Sequence, residues 1–65
     1  MKGILHKEEY GWVVRYKKHT PGPWFEVPLC EDDCLKYNAD LFDYLDEEIE
    51  FEIIDGNIAK LISKN

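Results

Sequence analysis

Two cysteines and two histidines are the residues of this chain whose types most directly suggest chemistry. Cys30 and Cys34 enclose three acidic residues, a spacing found among zinc ligands, and His6 or His19 could complete a set of four. No second paired motif accompanies them, and the cytosol keeps thiols reduced. We therefore predict two free thiols, no metal and no cofactor. Zinc, with Cys30 and Cys34 as weak candidate ligands, and a disulfide or redox role are the alternatives.

Acidic residues form two clusters, within 31–33 and within 43–48. They lack the spaced oxygen ligands and the central glycine of a calcium-binding loop. Catalytic carboxylates need an apolar pocket that shifts their pKa values, and the sequence around these clusters indicates none. Neither histidine lies in a triad motif, and the chain has no glycine-rich phosphate loop. The pattern predicts a solvated acidic surface on a protein that is not an enzyme.

Aromatic and basic residues are interleaved in the first part of the chain, where a ligand could bind. Such side chains stack on bases or on proline-rich peptides when they share one face of a small barrel. Aromatic residues that alternate along a strand more often form the core. The predicted ligand or nucleic-acid contacts are Trp12, Arg15, Tyr16, Lys17, Lys18 and Trp24.

The charge distribution bears on that hypothesis. The formal net charge of −6 disfavours a general nucleic-acid binder, whose affinity depends on neutralising phosphates. Residues 1–20 nevertheless carry five cations against two acids, a net +3, whereas residues 21–65 carry three cations against twelve acids, a net −9. Nucleic acid would then bind to a local basic strip, formed by Arg15, Lys17 and Lys18, on an otherwise acidic protein.

These residues need a scaffold, and residues 47–62 give its clearest signal. Acidic and apolar residues alternate with period two over 48–53, which is typical of a strand with one buried face. Residues 55–57 supply a tight turn, and apolar residues follow it. The segment therefore predicts a β-hairpin.

The length of the turn determines the register of this hairpin. A three-residue loop pairs Phe51 with Leu61 on the core face, whereas a two-residue loop would set Phe51 opposite Lys60. We predict the three-residue loop, in which an acidic and a basic residue also face each other. The same register directs three isoleucines away from the core, which predicts a covering layer or a partner. These predicted oligomer or partner contacts, the isoleucine row, are Ile54, Ile58 and Ile62.

The remaining elements follow from turn signals and from a change of period. Residues 2–8 and 11–19 predict a first hairpin, and residues 24–29 predict a third strand that ends at Pro28 or lies at a sheet edge. Between residues 30 and 45 the apolar spacing includes helical intervals, which predicts one or two short helical turns. In the second strand, Trp12, Val14, Tyr16 and Lys18 are predicted on the core face, and Val13, Arg15 and Lys17 on the other.

Five short strands in 65 residues predict one small, mainly β domain that spans residues 1–65. Antiparallel strands of this number curl so that their edges pair. The predicted fold is a small five-stranded antiparallel barrel, OB-like or SH3/Sm-like, with a short helical connector between strands 3 and 4. A chain of this size buries only about 60% of its unfolded surface, so we also predict a homo-oligomer, a dimer or higher.

The sequence carries no sign of membrane insertion or export. No stretch approaches the roughly 20 apolar residues of a membrane span. The first seven residues are too short and too polar for a signal peptide. These features predict a soluble, cytoplasmic protein without membrane contact.

Four segments of the sequence carry a resemblance to known proteins. They are residues 1–7 (MKGILHK), 11–16 (GWVVRY), 27–29 (VPL) followed by 32–33 (DD), and 48–54 (EIEFEII). In these segments the chain resembles short uncharacterised proteins of marine bacteria, their phages and environmental samples. The resemblance implies a compact β-barrel to which no activity is attached, and it carries over no functional residue.

Two functional hypotheses of different classes follow from these features. The first is a non-enzymatic interaction module that self-associates or binds a protein partner through the isoleucine row and exposed strand edges. The second is binding of single-stranded nucleic acid through Trp12, Tyr16 and Trp24 together with the basic strip. That strip consists of Arg15, Lys17 and Lys18.

Overall fold

The computed structural model describes residues 1–63 as a five-stranded sheet with a helical connector. An α-helix, α1 (Glu31–Tyr37), and a 3-10 helix (Asn38–Tyr44) lie between the third and fourth strands, as the sequence predicts. Neither helical segment within residues 1–63 has the length and apolar content needed to cross a membrane. The strands are β1 (Lys2–Glu8), β2 (Gly11–Lys17), β3 (Trp24–Pro28), β4 (Glu48–Ile54) and β5 (Ile58–Ser63).

The strands pair in the order β3-β2-β1-β4-β5, and each of these pairings is antiparallel. β3 and β5 are therefore the two edges of the sheet. They meet at a parallel bridge between Leu29 and Ala59, where the Cys30 amide donates to the Ala59 carbonyl oxygen at 2.8 Å. This contact does not close the sheet into a barrel. The predicted fold is confirmed in part: the protein is mainly β, with five antiparallel strands in one sheet and a short helix.

One face of the sheet, the inner face, packs against the connector to form the core. Leu5 and Phe51 are fully buried on this face, and Leu41 of the 3-10 helix is buried with them. Gly3 is required beside them, because a Cβ at this position would lie 2.8 Å from the Arg15 carbonyl oxygen and from a ring carbon of Phe51. The connector thus covers the inner face, and no helix of residues 1–63 covers the opposite, outer face.

Alternation along β2 separates the two faces, as expected for a strand. Val14 and Tyr16 are buried on the inner face. Val13 lies on the outer face, as predicted, yet it is buried as well. Alternation along the strand does not predict that burial. In the register it lies between His6 of β1 and Pro28 of β3, and neighbours on both sides shield it from solvent.

The β4–β5 hairpin has the predicted three-residue loop and the predicted register. Phe51 pairs with Leu61, and Glu52 pairs with Lys60. Gly56 in the loop has a φ of 81°, a conformation that glycine adopts without a steric penalty. The register prediction is therefore confirmed.

The prediction that residues 31–33 belong to a solvated acidic surface is wrong for Asp33 of α1. Its side chain is buried, and the residue is only 7% exposed. Its Oδ2 accepts a hydrogen bond from the Leu61 amide at 2.8 Å. This bond and the bond from Cys30 to Ala59 occupy backbone groups of β5 that point away from β4. The β5 edge is therefore covered, which corrects the prediction of exposed strand edges for β5 alone.

Candidate interaction surface

The outer face of the sheet holds a shallow depression lined by Ile4, Arg15 and Trp24, with a volume of about 280 Å³. A second depression of about 220 Å³ shares Ile4 and Trp24 and is also lined by Lys17 and Thr20. Strands β1, β2 and β3 bring these residues together, because Ile4 pairs with Arg15 and Lys17 pairs with Trp24. We call Ile4, Arg15, Lys17 and Trp24 the Trp24 surface.

Two carboxylates hold Arg15 in place on this surface. Its Nε lies 3.0 Å from Oε2 of Glu26, and its Nη2 lies 2.7 Å from Oε1 of Glu8. The Tyr10 hydroxyl donates to the other carboxylate oxygen of Glu26. The hydrogen bond from Tyr10, and then that from Arg15, lowers the pKa of the Glu26 carboxyl, and the bond to Glu26 raises the pKa of Arg15. The guanidinium charge is therefore balanced locally, and its position is set by β1 and β3.

His6 extends this polar network toward the start of β4. Its Nε2 lies 3.1 Å from Oε1 of Glu8, and its Nδ1 lies 3.1 Å from Oδ1 of Asp46. The Asp46 amide also donates to the Leu5 carbonyl oxygen at 2.7 Å. Local sequence signals do not reveal this contact, because His6 and Asp46 are 40 residues apart. The network links three neighbouring strands to the segment that precedes β4.

Lysine side chains lie against both aromatic residues of β3. Lys17 Nζ is 4.9 Å from the centroid of the Trp24 ring, and Lys18 Nζ is 4.8 Å from the centroid of the Phe25 ring. These distances suit cation–π attraction. Trp24 is 57% exposed and Phe25 is 38% exposed, so each ring also has a side open to solvent. Successive residues of a strand face opposite sides, so the two lysine–aromatic pairs flank both faces of β3.

The six predicted nucleic-acid contacts do not form one surface. Tyr16 is buried, and its ring centroid lies 5.4 Å from that of Phe51 in the core. Trp12 packs edge-on against Phe42 of the 3-10 helix, with 5.0 Å between the ring centroids. Lys18 extends over the ring of Phe25, which lies on the inner face of β3. Because side chains alternate along a strand, Trp12, Tyr16 and Lys18 are separated from the other three predicted contacts. The members that share the outer face are Arg15, Lys17 and Trp24.

The isoleucine row is only partly continuous. Ile54 and Ile58 face each other across β4 and β5, on the side away from the core, and both are half-buried. The register shifts between Glu50 and Phe51, so within residues 1–63 Ile62 has no residue directly opposite it, and it is 55% exposed. An irregularity of this kind interrupts the alternation of a strand. Ile62 thus adds exposed apolar area to β5, although the alternation that predicts the row ends before it.

Cys30 and Cys34 are free, half-buried thiols at the start of α1. Cys34 Sγ lies 3.9 Å from the Leu29 carbonyl oxygen. Burial, with a smaller contribution from Cys30 and two neighbouring acids, raises the pKa of the Cys34 thiol. The thiol is therefore a weak nucleophile at neutral pH. Within residues 1–63 no group of three or more His, Cys, Asp or Glu side chains is arranged to hold a metal ion.

Comparisons with protein-family models, with curated proteins and with solved structures find no match for the chain. The sequence resemblance to short bacterial and phage proteins stays a prediction. Function is therefore inferred from the surfaces of the sheet.

Proposed function

We propose that the protein is a non-enzymatic interaction module that self-associates through the isoleucines of β4 and β5. The observation that carries this proposal is that Ile62, a large aliphatic side chain on a strand, is 55% exposed. Ile54 and Ile58 add a cross-strand apolar pair on the sheet face turned away from the core. Apolar side chains on one hairpin favour contact with another apolar surface.

Charged neighbours of the isoleucines support a symmetric contact between two copies. Glu52 pairs with Lys60 in the hairpin, next to the pair of Ile54 and Ile58. A two-fold dimer uses the same patch twice, so Glu52 of each copy can approach Lys60 of the other. Arrangements that bring like charges together are disfavoured. A second copy is therefore the favoured occupant, and a protein partner with a complementary patch is the alternative.

The small size of this surface determines the expected strength of assembly. A standard interface buries about 800 Å² on each partner, and three isoleucine side chains supply only part of that area. Smaller interfaces belong to weak or transient complexes. We therefore expect an equilibrium between monomer and oligomer that depends on protein concentration.

Light scattering over a concentration series tests self-association. The mean mass of the wild-type protein should rise with concentration, whereas Ile62→Glu and Ile58→Glu should stay monomeric because each places a carboxylate in the contact. Leu35→Glu is the matched control, since Leu35 is an exposed aliphatic residue on α1. A monomer at every concentration, or the same behaviour in all three variants, would contradict the proposal.

A second candidate function, binding of single-stranded nucleic acid, is favoured by the contact between Lys17 and Trp24 on the outer face. An exposed indole beside an ammonium group can stack on a base and contact the backbone. Binding of a fluorescent oligothymidylate should weaken with added salt and with Lys17→Glu. Lys36→Glu is the control, because it makes the same charge change beside Tyr37 on α1. Absence of binding at low salt would reject this function.

We also propose that the fold is an OB-like, partly open barrel and not an SH3/Sm-like barrel. Three features support it: β1 pairs with both β2 and β4, the helix lies between β3 and β4, and the third and fifth strands meet at Leu29 and Ala59. The OB fold is a five-stranded, partly open barrel. Amide hydrogen exchange tests this, because the Cys30 amide should be as protected as those of paired strands. Rapid exchange at Cys30 would favour an open sheet.

A further inference from the structure

On the side away from β2, the backbone of β3 approaches another strand only near its C-terminal end, where the chain continues to the bridge between Leu29 and Ala59 of β5. β3 pairs only with β2 in the strand order of residues 1–63. The Leu29 amide donates to the Trp12 carbonyl oxygen at 2.9 Å, which sets the alternation of bonded and non-bonded pairs. By this alternation the N–H and C=O groups of Trp24 and Glu26 point away from β2. Pro28 adds an outward carbonyl but no donor.

The other edge of the sheet offers no comparable backbone. The Ala59 carbonyl oxygen is bonded to the Cys30 amide, and the Leu61 amide is bonded to Asp33. An incoming strand would have to displace both bonds, one of which involves a buried carboxylate. Strand addition to this sheet is therefore favoured at β3.

The side chains that flank β3 indicate the charge of an incoming segment. Lys17 and Lys18 place their ammonium groups over the rings of Trp24 and Phe25, one on each face of the strand. Among residues 1–63 no carboxylate lies within ion-pair distance of either ammonium group. Two positive charges beside an open edge therefore attract a segment that carries carboxylates.

We propose that the free edge of β3 binds an extended acidic segment of a partner protein, which pairs with Trp24 and Glu26 as an added strand. Main-chain hydrogen bonds then supply affinity, and alternate side chains supply specificity, as in other strand additions. This site uses backbone groups of Trp24 and Glu26, whereas the proposed self-association uses side chains of the β4–β5 hairpin, so the two sites share no residue. Either proposal can therefore fail without the other.

A second copy of the chain is a poorer occupant of this edge. Two-fold pairing of β3 with itself about Glu26 would set the two Glu26 carboxylates opposite each other, which is unfavourable. Each Trp24 would face Pro28 of the other copy, and proline cannot return a hydrogen bond. An acidic segment of a different protein avoids both conflicts if its residue opposite Glu26 is uncharged.

The geometry also specifies the order of residues in the segment. In an antiparallel addition, three successive residues face Glu26, Phe25 and Trp24 in that order. The second residue lies on the inner face near Lys18, and the third lies on the outer face near Lys17. Both should therefore be acidic, whereas the first should be apolar or basic. The expected pattern is one apolar residue followed by two acidic residues.

A capped hexapeptide, Thr-Val-Glu-Glu-Val-Thr, is the probe for this site, and its control has lysine in place of both glutamates. Titration followed by nitrogen-15 NMR should shift the amide signals of Trp24 and Glu26 and slow their hydrogen exchange. The double variant Lys17→Glu, Lys18→Glu should bind at least about fivefold more weakly. Lys36→Glu, which alters a lysine that lies against a ring on α1, should bind like the wild type.

Several outcomes would overturn the strand-addition proposal. They are equal binding of the lysine peptide, signal shifts centred away from β3, and no binding by the wild-type protein. Concentration-dependent shifts of Trp24 and Glu26 without peptide would identify a second copy as the occupant, which overturns it as well. Peptide binding should be unchanged in Ile62→Glu, and this result separates the β3 site from self-association at β5.

Discussion

Two carboxylates stabilise the two edges of the sheet in opposite ways. Asp33 lies outside the sheet, is buried, and accepts a hydrogen bond from the Leu61 backbone of β5. Glu26 lies on β3, is exposed, and bonds to Tyr10 and Arg15 across the outer face. β5 is therefore covered along its backbone, whereas side-chain bonds on β3 add to its backbone pairing with β2, and within residues 1–63 the outward backbone groups of Trp24 and Glu26 stay unpaired.

The path of the chain explains this difference. After β3 the chain turns toward β5 at Leu29 and Cys30, and α1 then brings Asp33 alongside the strand. One short connector can cover only one edge of a sheet that is not closed. Open edges accept other strands. In a domain of this size, the use of the connector at β5 thus leaves the outward backbone groups of Trp24 and Glu26 unpaired within residues 1–63.

Asp33→Ala should have the largest effect, because it leaves the Leu61 amide without an acceptor in a buried position. Loss of a hydrogen bond to a charged group destabilises a protein by about 2 kcal/mol. That is a large fraction of the stability of a small domain. Urea denaturation should report the loss, and the Leu61 amide should exchange with solvent much faster than in the wild type.

Asp32→Ala is the matched control for this prediction. Asp32 lies in the same first turn of α1 but is exposed, so its loss removes a similar helix-dipole interaction and no buried bond. We expect it to change the unfolding free energy by only a few tenths of a kcal/mol. Equal losses in the two variants would mean that the bond to β5 adds nothing to stability.

The secondary structure could be predicted because its signals are local. The turn at 55–57 and the alternation before it determine the register of Phe51 against Leu61, and the proline-rich segment 20–23 separates β2 from β3. The burial of Asp33 could not be predicted in this way. It depends on a contact with Leu61, 28 residues away, and nothing in the acidic run 31–33 distinguishes one carboxylate from its neighbours.

Loss of a backbone hydrogen bond at the β5 edge should destabilise the protein, whereas a proline at the β3 edge should be tolerated. Glu26→Pro and Glu26→Ala both remove the bonds to Tyr10 and Arg15. If the Glu26 amide points outward, the proline variant should be within about 0.5 kcal/mol of the alanine variant, because no ladder bond is lost. A paired amide would instead make proline about 3 kcal/mol worse. Thermal or urea unfolding of the two variants decides between these results.

The Trp24 surface was only partly predictable from the sequence. Alternation along β2 correctly separates Arg15 and Lys17 from the inner face and places Tyr16 on the core face, where it is buried against Phe51. The sequence nevertheless also predicts Tyr16 as a nucleic-acid contact, which its burial argues against. Ile4 is neither aromatic nor basic, so the sequence pattern does not include it. It comes close to Trp24 only because β1, β2 and β3 pair. Sequence patterns therefore identify the strands of the surface better than its members.

The smallest expected effect is a pH dependence at Glu26. Hydrogen bonds from Tyr10 and then Arg15 lower the pKa of the Glu26 carboxyl in the folded protein. Its stabilising contribution is therefore complete above the ordinary carboxyl pKa and is lost as the pH falls through the lower folded value. The same bond raises the pKa of Tyr10, so that contribution is complete below the ordinary tyrosine pKa and is lost as the pH rises through the raised value.

Tyr10→Phe should move the titration of the Glu26 carboxyl toward its ordinary range, as followed by NMR of the side chain. The shift should be small, because both groups are exposed and solvent screens their interaction. Glu50 is the internal control, since its carboxyl pKa is lowered by a hydrogen bond from the amino terminus of Met1 and should not respond. An unchanged titration of Glu26 would mean that the exposed bond does not persist in solution. In that case the backbone pairing with β2, and not the side-chain links, holds β3 at the open edge.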